Sequence, residues 1–364
     1  MKRPTPAELG YHMPPEWRRH QATWLTWPKD PLTWPDRVQL VEDIFLRMMA
    51  ALAPHETVNV LVESAEAKQG VRRRCKFAGA ENIRFHQIPT VDSWIRDYGP
   101  NFLVNTKGEL AYNDWIFNAW GNKYEELKQD DSIPARLESL LSVPRFEPGI
   151  VMEGGSIEVN GAGVVMTTEQ CLLNPNRNPA LNRGEIERYL REFLGVEKVL
   201  WLAEGIVGDD TDGHIDDIAR FVSATTIVCA LEEDPADANY KLLQENLDRL
   251  RHATDANGRA FVIVTLPMPG VVGASNDTSQ RQLERLPASY ANFYIANNVV
   301  LVPIFGHGSD ARALEIIQEL FSDRRVIGIN CEPLVWGMGT IHCVTQQQPQ
   351  PYPQITQMMP TGKQ

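Results

Sequence analysis

The sequence predicts an α/β fold: a five-bladed, pseudosymmetric α/β-propeller built from strand–strand–helix–strand repeats. Three observations predict it. One order of β-rich and helical segments returns along the chain, turn-forming pairs such as Asn160-Gly161 separate the paired β-rich runs, and a fifth unit is completed only by pairing the two ends of the chain. A ring closed by its own ends leaves no exposed sheet edge. The alternative is an ordinary α/β sheet whose element order repeats by coincidence.

In chain order, residues 22–27 read as a strand, 36–52 as a helix and 58–62 as a strand. Residues 101–105 and 109–116 flank Lys107-Gly108, and 134–142 follows as a helix, giving a less regular copy of the unit. Residues 151–159 and 163–168 join around Asn160-Gly161; helical spacing through Ile186, Tyr189, Leu190 and Phe193 marks 184–195, and 198–202 closes the unit as a strand. The order returns in strands 215–222 and 225–231, a helix over 238–253 and a strand at 260–265. It returns again in 290–296 and 298–304, a helix over 310–321 and a strand at 325–329. Residues 341–346, paired with 22–27, complete the fifth unit.

In such a ring, equivalent positions near the first strand of each unit point at one centre. Asp97, Glu153, His214, Asn292 and Cys343 occupy those positions, separated by 56, 61, 78 and 51 residues. Polar groups from five units meeting at one axis make a site, whereas in a single sheet they would be spread along its edge.

Composition bounds the function. With 43% hydrophobic and 23% charged residues the 364-residue chain can build a core. No linker or low-complexity tract divides it, so one domain over 1–364 is expected, with a Gln/Pro-rich tail from about residue 347. Thirty-five basic against 47 acidic residues give a net charge of −12, which disfavours nucleic acid and anionic membranes and favours a cationic small molecule. The basic cluster Arg72-Arg73-Arg74-Cys75-Lys76 reads as the solvated face of a helix. The polar, proline-broken start and the lack of a long apolar segment predict a cytoplasmic protein. Five scattered cysteines with no CxxC pair predict free thiols. Oligomeric state is not legible, and a homo-oligomer stays open.

Cys343, behind a glycine-flanked turn and within a short β-branched run, is the nucleophile candidate. No Lys or Arg lies near it in sequence, so a cationic substrate, or His214 when protonated, is expected to supply the missing charge. Asp212-Gly213-His214-Ile215-Asp216 places an imidazole between two acids, His214 and Asp216 sharing one face if the segment is a strand. This acid/histidine run could also hold a metal, although it fits neither an EF-hand loop nor a His-Glu-x-x-His motif. Trp94-Ile95-Arg96-Asp97-Tyr98-Gly99-Pro100 sets a carboxylate between aromatics before a turn, and Glu153 precedes Gly154-Gly155. Several carboxylates around one thiol raise its pKa and repel anions, yet they suit a planar guanidinium, whose N–H fork matches them bidentately.

Over nearly the whole chain these blocks resemble the agmatine deiminases, within the bacterial peptidyl-arginine deiminase family of guanidino-group modifying enzymes. The matching segments are Met13–Trp17, 22–28, Trp94–Pro100, Glu153–Ser156, Leu172–Pro179, Asp209–Asp216, Ser289–Tyr294 and Ile341–Gln347. The resemblance implies the pentein propeller and hydrolysis without metal or organic cofactor. By resemblance Cys343 is the nucleophile, His214 the general acid/base, Asp97 and Asp216 the guanidinium clamp, and Glu153 and Asn292 site residues. It implies that Cys343 forms a covalent thiouronium as His214 protonates departing ammonia, and that water activated by His214 then releases a ureido product. Trp94 and Trp120 are candidate walls for the substrate's far end. Met338 stands where the family usually has a glycine run, which bears on the shape of that loop. Agmatine is the favoured substrate; peptidyl or free arginine, a metal-dependent hydrolase and a non-catalytic binding module are the alternatives.

Overall fold

The computed structural model describes residues 3–273 and 285–351. Its strands, in chain order, are β1 (Tyr11–His12), β2 (His20–Thr26), β3 (Thr57–Val62), β4 (Ile83–Gln87), β5 (Asn101–Asn105), β6 (Leu110–Asn113), β7 (Arg145–Phe146), β8 (Glu158–Val159), β9 (Val164–Thr168), β10 (Lys198–Leu202), β11 (Ala219–Phe221), β12 (Thr226–Leu231), β13 (Val262–Pro267), β14 (Tyr294–Ile295), β15 (Val299–Ile304), β16 (Arg325–Asn330) and β17 (Gln346–Pro349). They form five separate sheets, ordered β17-β2-β3-β4, β1-β5-β6-β7, β10-β9-β8, β11-β12-β13 and β14-β15-β16.

One pattern recurs in all five. The unit's first strand pairs antiparallel with the second, and the second pairs parallel with the third. A parallel neighbour needs a crossover. The helices Val38–Leu52, Ile133–Leu141, Arg183–Leu194, Tyr240–His252 and Asp310–Leu320 supply it, one per unit. Each buries one stripe: in Arg183–Leu194 this is Ile186, Leu190 and Leu194, at helical spacing. That helix starts at a capping box between Asn182 and Glu185 and stops at Gly195, whose φ of 65° is left-handed.

The helices and third strands fall within a residue or three of the sequence-based expectation, and the first strand β5 matches 101–105; the other first strands do not. Residues 151–157, 215–218 and 290–293 were expected in strands, yet only Glu158–Val159, Ala219–Phe221 and Tyr294–Ile295 pair as strands. Ahead of the first two the chain turns through Gly154–Ser156 and Ile215–Asp217. The closing strand likewise is not 341–346. Ile341–Val344 is a turn, and β17 begins at Gln346, opposite Trp24 of β2. Cys343 therefore sits in a turn, and so do His214 and Asp216, the latter within the short 3₁₀ turn Ile215–Asp217.

Two additions were not foreseen: β1 on the outer edge of β5, and β4 after the helix Ala65–Phe77, of which only the basic cluster was read as helical. The basic cluster lies on that helix; Cys75 faces inward, while Arg74 pairs with Glu42 and Asp43 on the preceding helix. The expected exposed tail is corrected in part. Gln346 and Gln347 are buried, and both accept from Arg96 Nη1 at 2.7 Å. Residues 352–364 of that tail lie outside the described residues. All five cysteines are free thiols. Among the described residues no helix is long and apolar enough to cross a membrane.

Candidate active site

Each unit delivers one polar residue from the turn ahead of its first strand. Asp97 lies in the one-turn helix Ile95–Tyr98 before β5, Glu153 precedes the turn Gly154–Ser156 before β8, and His214 precedes Ile215–Asp217 before β11. Asn292 and Cys343 lie in the turns before β14 and β17. Turns suit this task because their side chains are not bound to alternate across a sheet.

Local chemistry fixes each turn. Asp209 folds the histidine loop upon itself, its Oδ1 accepting from Thr211 N at 2.7 Å and its Oδ2 from Gly213 N at 2.9 Å and His214 N at 3.1 Å. Gly155 is required by crowding. A Cβ there would lie 2.6 Å from His214 Nδ1, 2.8 Å from Asp97 Oδ1 and 3.0 Å from Asp216 Oδ2, so three predicted residues converge on one point. A Cβ at Gly339 would similarly lie 2.6 Å from the Trp94 ring and 3.2 Å from Cys343 Sγ.

Cys343 Sγ is 3.3 Å from Asn292 Nδ2. The amide's orientation is set by its other end, since Asn292 Oδ1 accepts from Thr340 Oγ1 at 2.6 Å and from His342 N at 3.0 Å. Cys343 is partly exposed, whereas the other four cysteines are buried. Asp97 accepts from Gly155 N at 2.8 Å and Trp120 Nε1 at 2.9 Å, and its Oδ1 is 3.8 Å from His214 Nδ1. Trp120 reaches it from a backbone run with left-handed φ at Ala119, Trp120, Gly121 and Asn122, of 54°, 53°, 89° and 65°. Such a run is costly outside glycine, and it holds the indole over the carboxylate.

Electrostatically the pocket is set for a cation. Burial, with Asp216, Asp217 and Asp97 around it, pushes the Cys343 thiol well above its ordinary pKa. Burial, then Asp216, hold the Asp97 carboxyl well above its ordinary value. Burial, with help from Arg177 against the pull of Asp216, pushes His214 down to about 3. The expectation that a protonated His214 supplies charge to the thiol is thereby corrected: the buried ring is neutral. Burial of Asp216 is outweighed by its hydrogen bond and attraction to His342, and that carboxyl lies below its ordinary value.

A cavity of about 230 Å³ opens at Cys343, and Asp97, Trp94 and Trp120 line it with Tyr124, Asp210, Trp336 and Met338. Met338 adopts φ of 71° there, the left-handed conformation that a glycine would take without strain. His214, Asp216 and Asn292 pack against Asp97, Gly155 and Cys343 and do not reach the wall. Glu153 is displaced from the role expected of it. Its Oε1 accepts from Arg177 Nε at 2.6 Å, Arg177 also holds Asp212 at 2.6 Å, and both Arg177 and Glu153 are buried. Arg177→Met is expected to cost about 3–5 kcal/mol of stability, because it leaves Glu153 buried without its cation. Urea unfolding checks this, and a loss below about 1 kcal/mol would show that the pair is not a structural anchor.

Ligand atoms of Glu153, Cys171 and His214 lie within 4.8 Å of one another. A metal there meets poor donors, since the Arg177 guanidinium already occupies the seat of a cation and burial with Glu153 pushes the Cys171 thiol well up. The acids of 209–217 already have partners: Asp209 backbone N–H groups, Asp210 Tyr124, Asp212 Lys123, Asn176 and Arg177, Asp216 His342 through Oδ2, and Asp217 Asn292. Sequence reasoning overlooked the residues behind the site, namely Arg177, His342, Glu16 and Arg220. His342 adjoins the cysteine and Glu16 lies in the Met13–Trp17 block, but their partners are long-range contacts that no local pattern announces.

With this geometry in hand, comparison with known proteins is direct. The Porphyromonas-type peptidyl-arginine deiminase family matches residues 12–349. An agmatine deiminase of Ectopseudomonas mendocina (strain ymp) is 39% identical over 363 residues, covering 95% of this chain and 98% of that one. The solved agmatine deiminase of Enterococcus faecalis superposes with a TM-score of 0.88 at 35% identity, covering 96% and 99% of the two chains. The agmatine deiminase of C. jejuni superposes with a TM-score of 0.81 at 28% identity, covering 94% and 97%.

Proposed function

The chain belongs to the Porphyromonas-type peptidyl-arginine deiminase family, and from that premise we propose that it hydrolyses agmatine to N-carbamoylputrescine and ammonia. One observation carries the choice of substrate. Five acids line the cavity, Asp30, Asp92, Asp97, Glu126 and Asp210, together with Trp94, Trp120, Tyr124 and Trp336, and among the described residues no Lys or Arg does. Agmatine carries a cation at each end and no carboxylate. Free arginine would bring an α-carboxylate among acids with no cation to receive it, which like-charge repulsion and desolvation oppose.

In this reading the guanidinium meets Asp97 at the cavity wall and reaches past it to Asp216, whose buried Oδ1 has no partner, and its charge offsets the repulsion that holds the Cys343 thiol protonated. Neutral His214 takes the thiol proton, the thiolate adds to the guanidinium carbon, and His214 returns the proton to the departing nitrogen as the C–N bond breaks. A planar cationic thiouronium remains on Cys343. His214 then removes a proton from water, whose oxygen adds to the same carbon; the C–S bond breaks to release the ureido product and the cysteine. Proton transfer of this kind contributes about 10²–10⁴-fold. The same reading takes the five sheets as the blades of a pentein propeller, supported by their shared pairing pattern, the equivalent turns that carry the site, and the β17–β2 pairing of the chain's ends.

A panel of agmatine, free arginine and an arginine-containing peptide, read by ammonia release, tests the assignment. Agmatine is expected to have the highest kcat/KM, by at least about 100-fold over arginine; turnover of the peptide alone overturns it. A pH dependence follows from the same electrostatics. Cys343 and Asp97, both shifted upward, must lose protons for a cation to be bound and attacked, while His214 stays neutral above about pH 5. The kcat/KM for agmatine is therefore expected to rise from about pH 6 to 9, and a profile flat or falling over that range would contradict the charge assignment.

A further inference from the structure

We infer that His342 is a positioning residue: its Nδ1 donates to Asp216 and holds that carboxylate for the guanidinium, while Glu16 fixes the ring from its far side. The inference rests on the reading of Asp216 as half of the clamp. His342 is 1% exposed, with Nδ1 2.6 Å from Asp216 Oδ2 and Nε2 2.8 Å from Glu16 Oε2. The bond uses one oxygen of Asp216; Oδ1 is buried with no partner, an acceptor free for an N–H donor. Glu16 does not drift, since Ile295 N donates to it at 2.7 Å and Arg220 Nη2 and Arg96 Nη2 lie at 3.0 and 3.5 Å.

Glu16, held well below its ordinary pKa by Arg220 and His342 against burial, and Asp216, also held low, are both ionised. An ionised carboxylate only accepts, so the 2.6 Å contact to Asp216 is a bond donated by the ring's Nδ1. The main chain of His342 serves the nucleophile at the same time. Its N–H donates to Asn292 Oδ1, the atom that turns the amide nitrogen towards Cys343, and its carbonyl accepts from Arg96 Nε at 3.2 Å. One residue thus links the N-terminal segment, the clamp and the thiol.

A buried histidine with a purely structural role would not care which ring nitrogen keeps a substitute. Asparagine places its amide N–H where Nδ1 stands, and glutamine reaches the position of Nε2. In a Cys343→Ala background, with agmatine binding followed by calorimetry, His342→Gln is expected to weaken binding by about 10- to 100-fold more than His342→Asn, the weight of one charge-assisted hydrogen bond. Melting temperatures of the two variants should be alike. Equal binding by both variants, or parental binding by His342→Gln, overturns the inference. If either variant does not fold, ¹⁵N-histidine NMR of the otherwise unchanged Cys343→Ala protein decides: a hydrogen on Nδ1 at neutral pH is expected, and a bare Nδ1 overturns the inference. The parent reading fails separately: Asp216→Asn that binds normally removes the clamp, whereas Asp216→Asn that loses binding beside an unaffected His342→Gln removes only the role of His342.

Discussion

Replacing Cys343 by alanine is expected to reduce ammonia release from agmatine by at least about 10⁴-fold while leaving the fold intact. The two halves of that expectation have different causes. A covalent route has no substitute nucleophile, because Cys171, Cys229 and Cys331 are buried with thiols pushed up by burial, and Cys75 is buried under its helix with its thiol at about 11. The fold is spared because the sulfur bonds only weakly, to the Asn292 amide and the Thr340 backbone, and the side chain is partly exposed, so truncation opens little cavity. Calorimetry should show that the variant still binds agmatine. Alkylation of the unmodified protein should fall on Cys343 first and be slowed by agmatine. Residual turnover above about 1% would remove Cys343 from the mechanism.

The second large effect is expected at the carboxylates. Asp97→Asn and Asp216→Asn should each lower kcat/KM by about 10²–10³-fold, the usual consequence of removing one partner from a buried charge pair. Their effects on the free thiol should differ in sign from their effects on turnover. Asp216 is ionised and raises the Cys343 pKa, so Asp216→Asn should make iodoacetamide alkylation of the empty protein faster at a given pH even as turnover collapses. Asp97 also raises the thiol but acts on it less than Asp216 does, so Asp97→Asn should speed alkylation less. It should instead disturb Trp120, because both Asp97 oxygens accept hydrogen bonds and an amide cannot accept through its nitrogen. Near-normal kinetics in both variants, or slower alkylation in Asp216→Asn, would remove the clamp.

The helices and third strands were legible because burial imposes a period: Ile186, Leu190 and Leu194 sit one turn apart, and β10 is a run of apolar residues flanked by turns. The first strands misled the reading. Ala291 and Phe293 look β-like, but the turn that holds them serves Asn292, whose bonds to Thr340 and His342 outweigh any local preference for a ladder. Glu153 misled it differently. Its place ahead of the unit's first strand is that of its four counterparts, yet only the fold brings Arg177 to within 2.6 Å and pairs the carboxylate away from the cavity wall. His342 hid beside the cysteine because its significance lies in Glu16, 326 residues away.

What the sequence by itself determined is the repeated order of elements and one polar residue ahead of each first strand, since period and turn chemistry are local and survive in a linear string. Charge state, partner choice and the shape of the pocket were decided only by tertiary structure. A carboxylate or imidazole has no fixed protonation of its own once water is excluded; its value is set by groups a few ångströms away in space, and here those groups come from five distant turns.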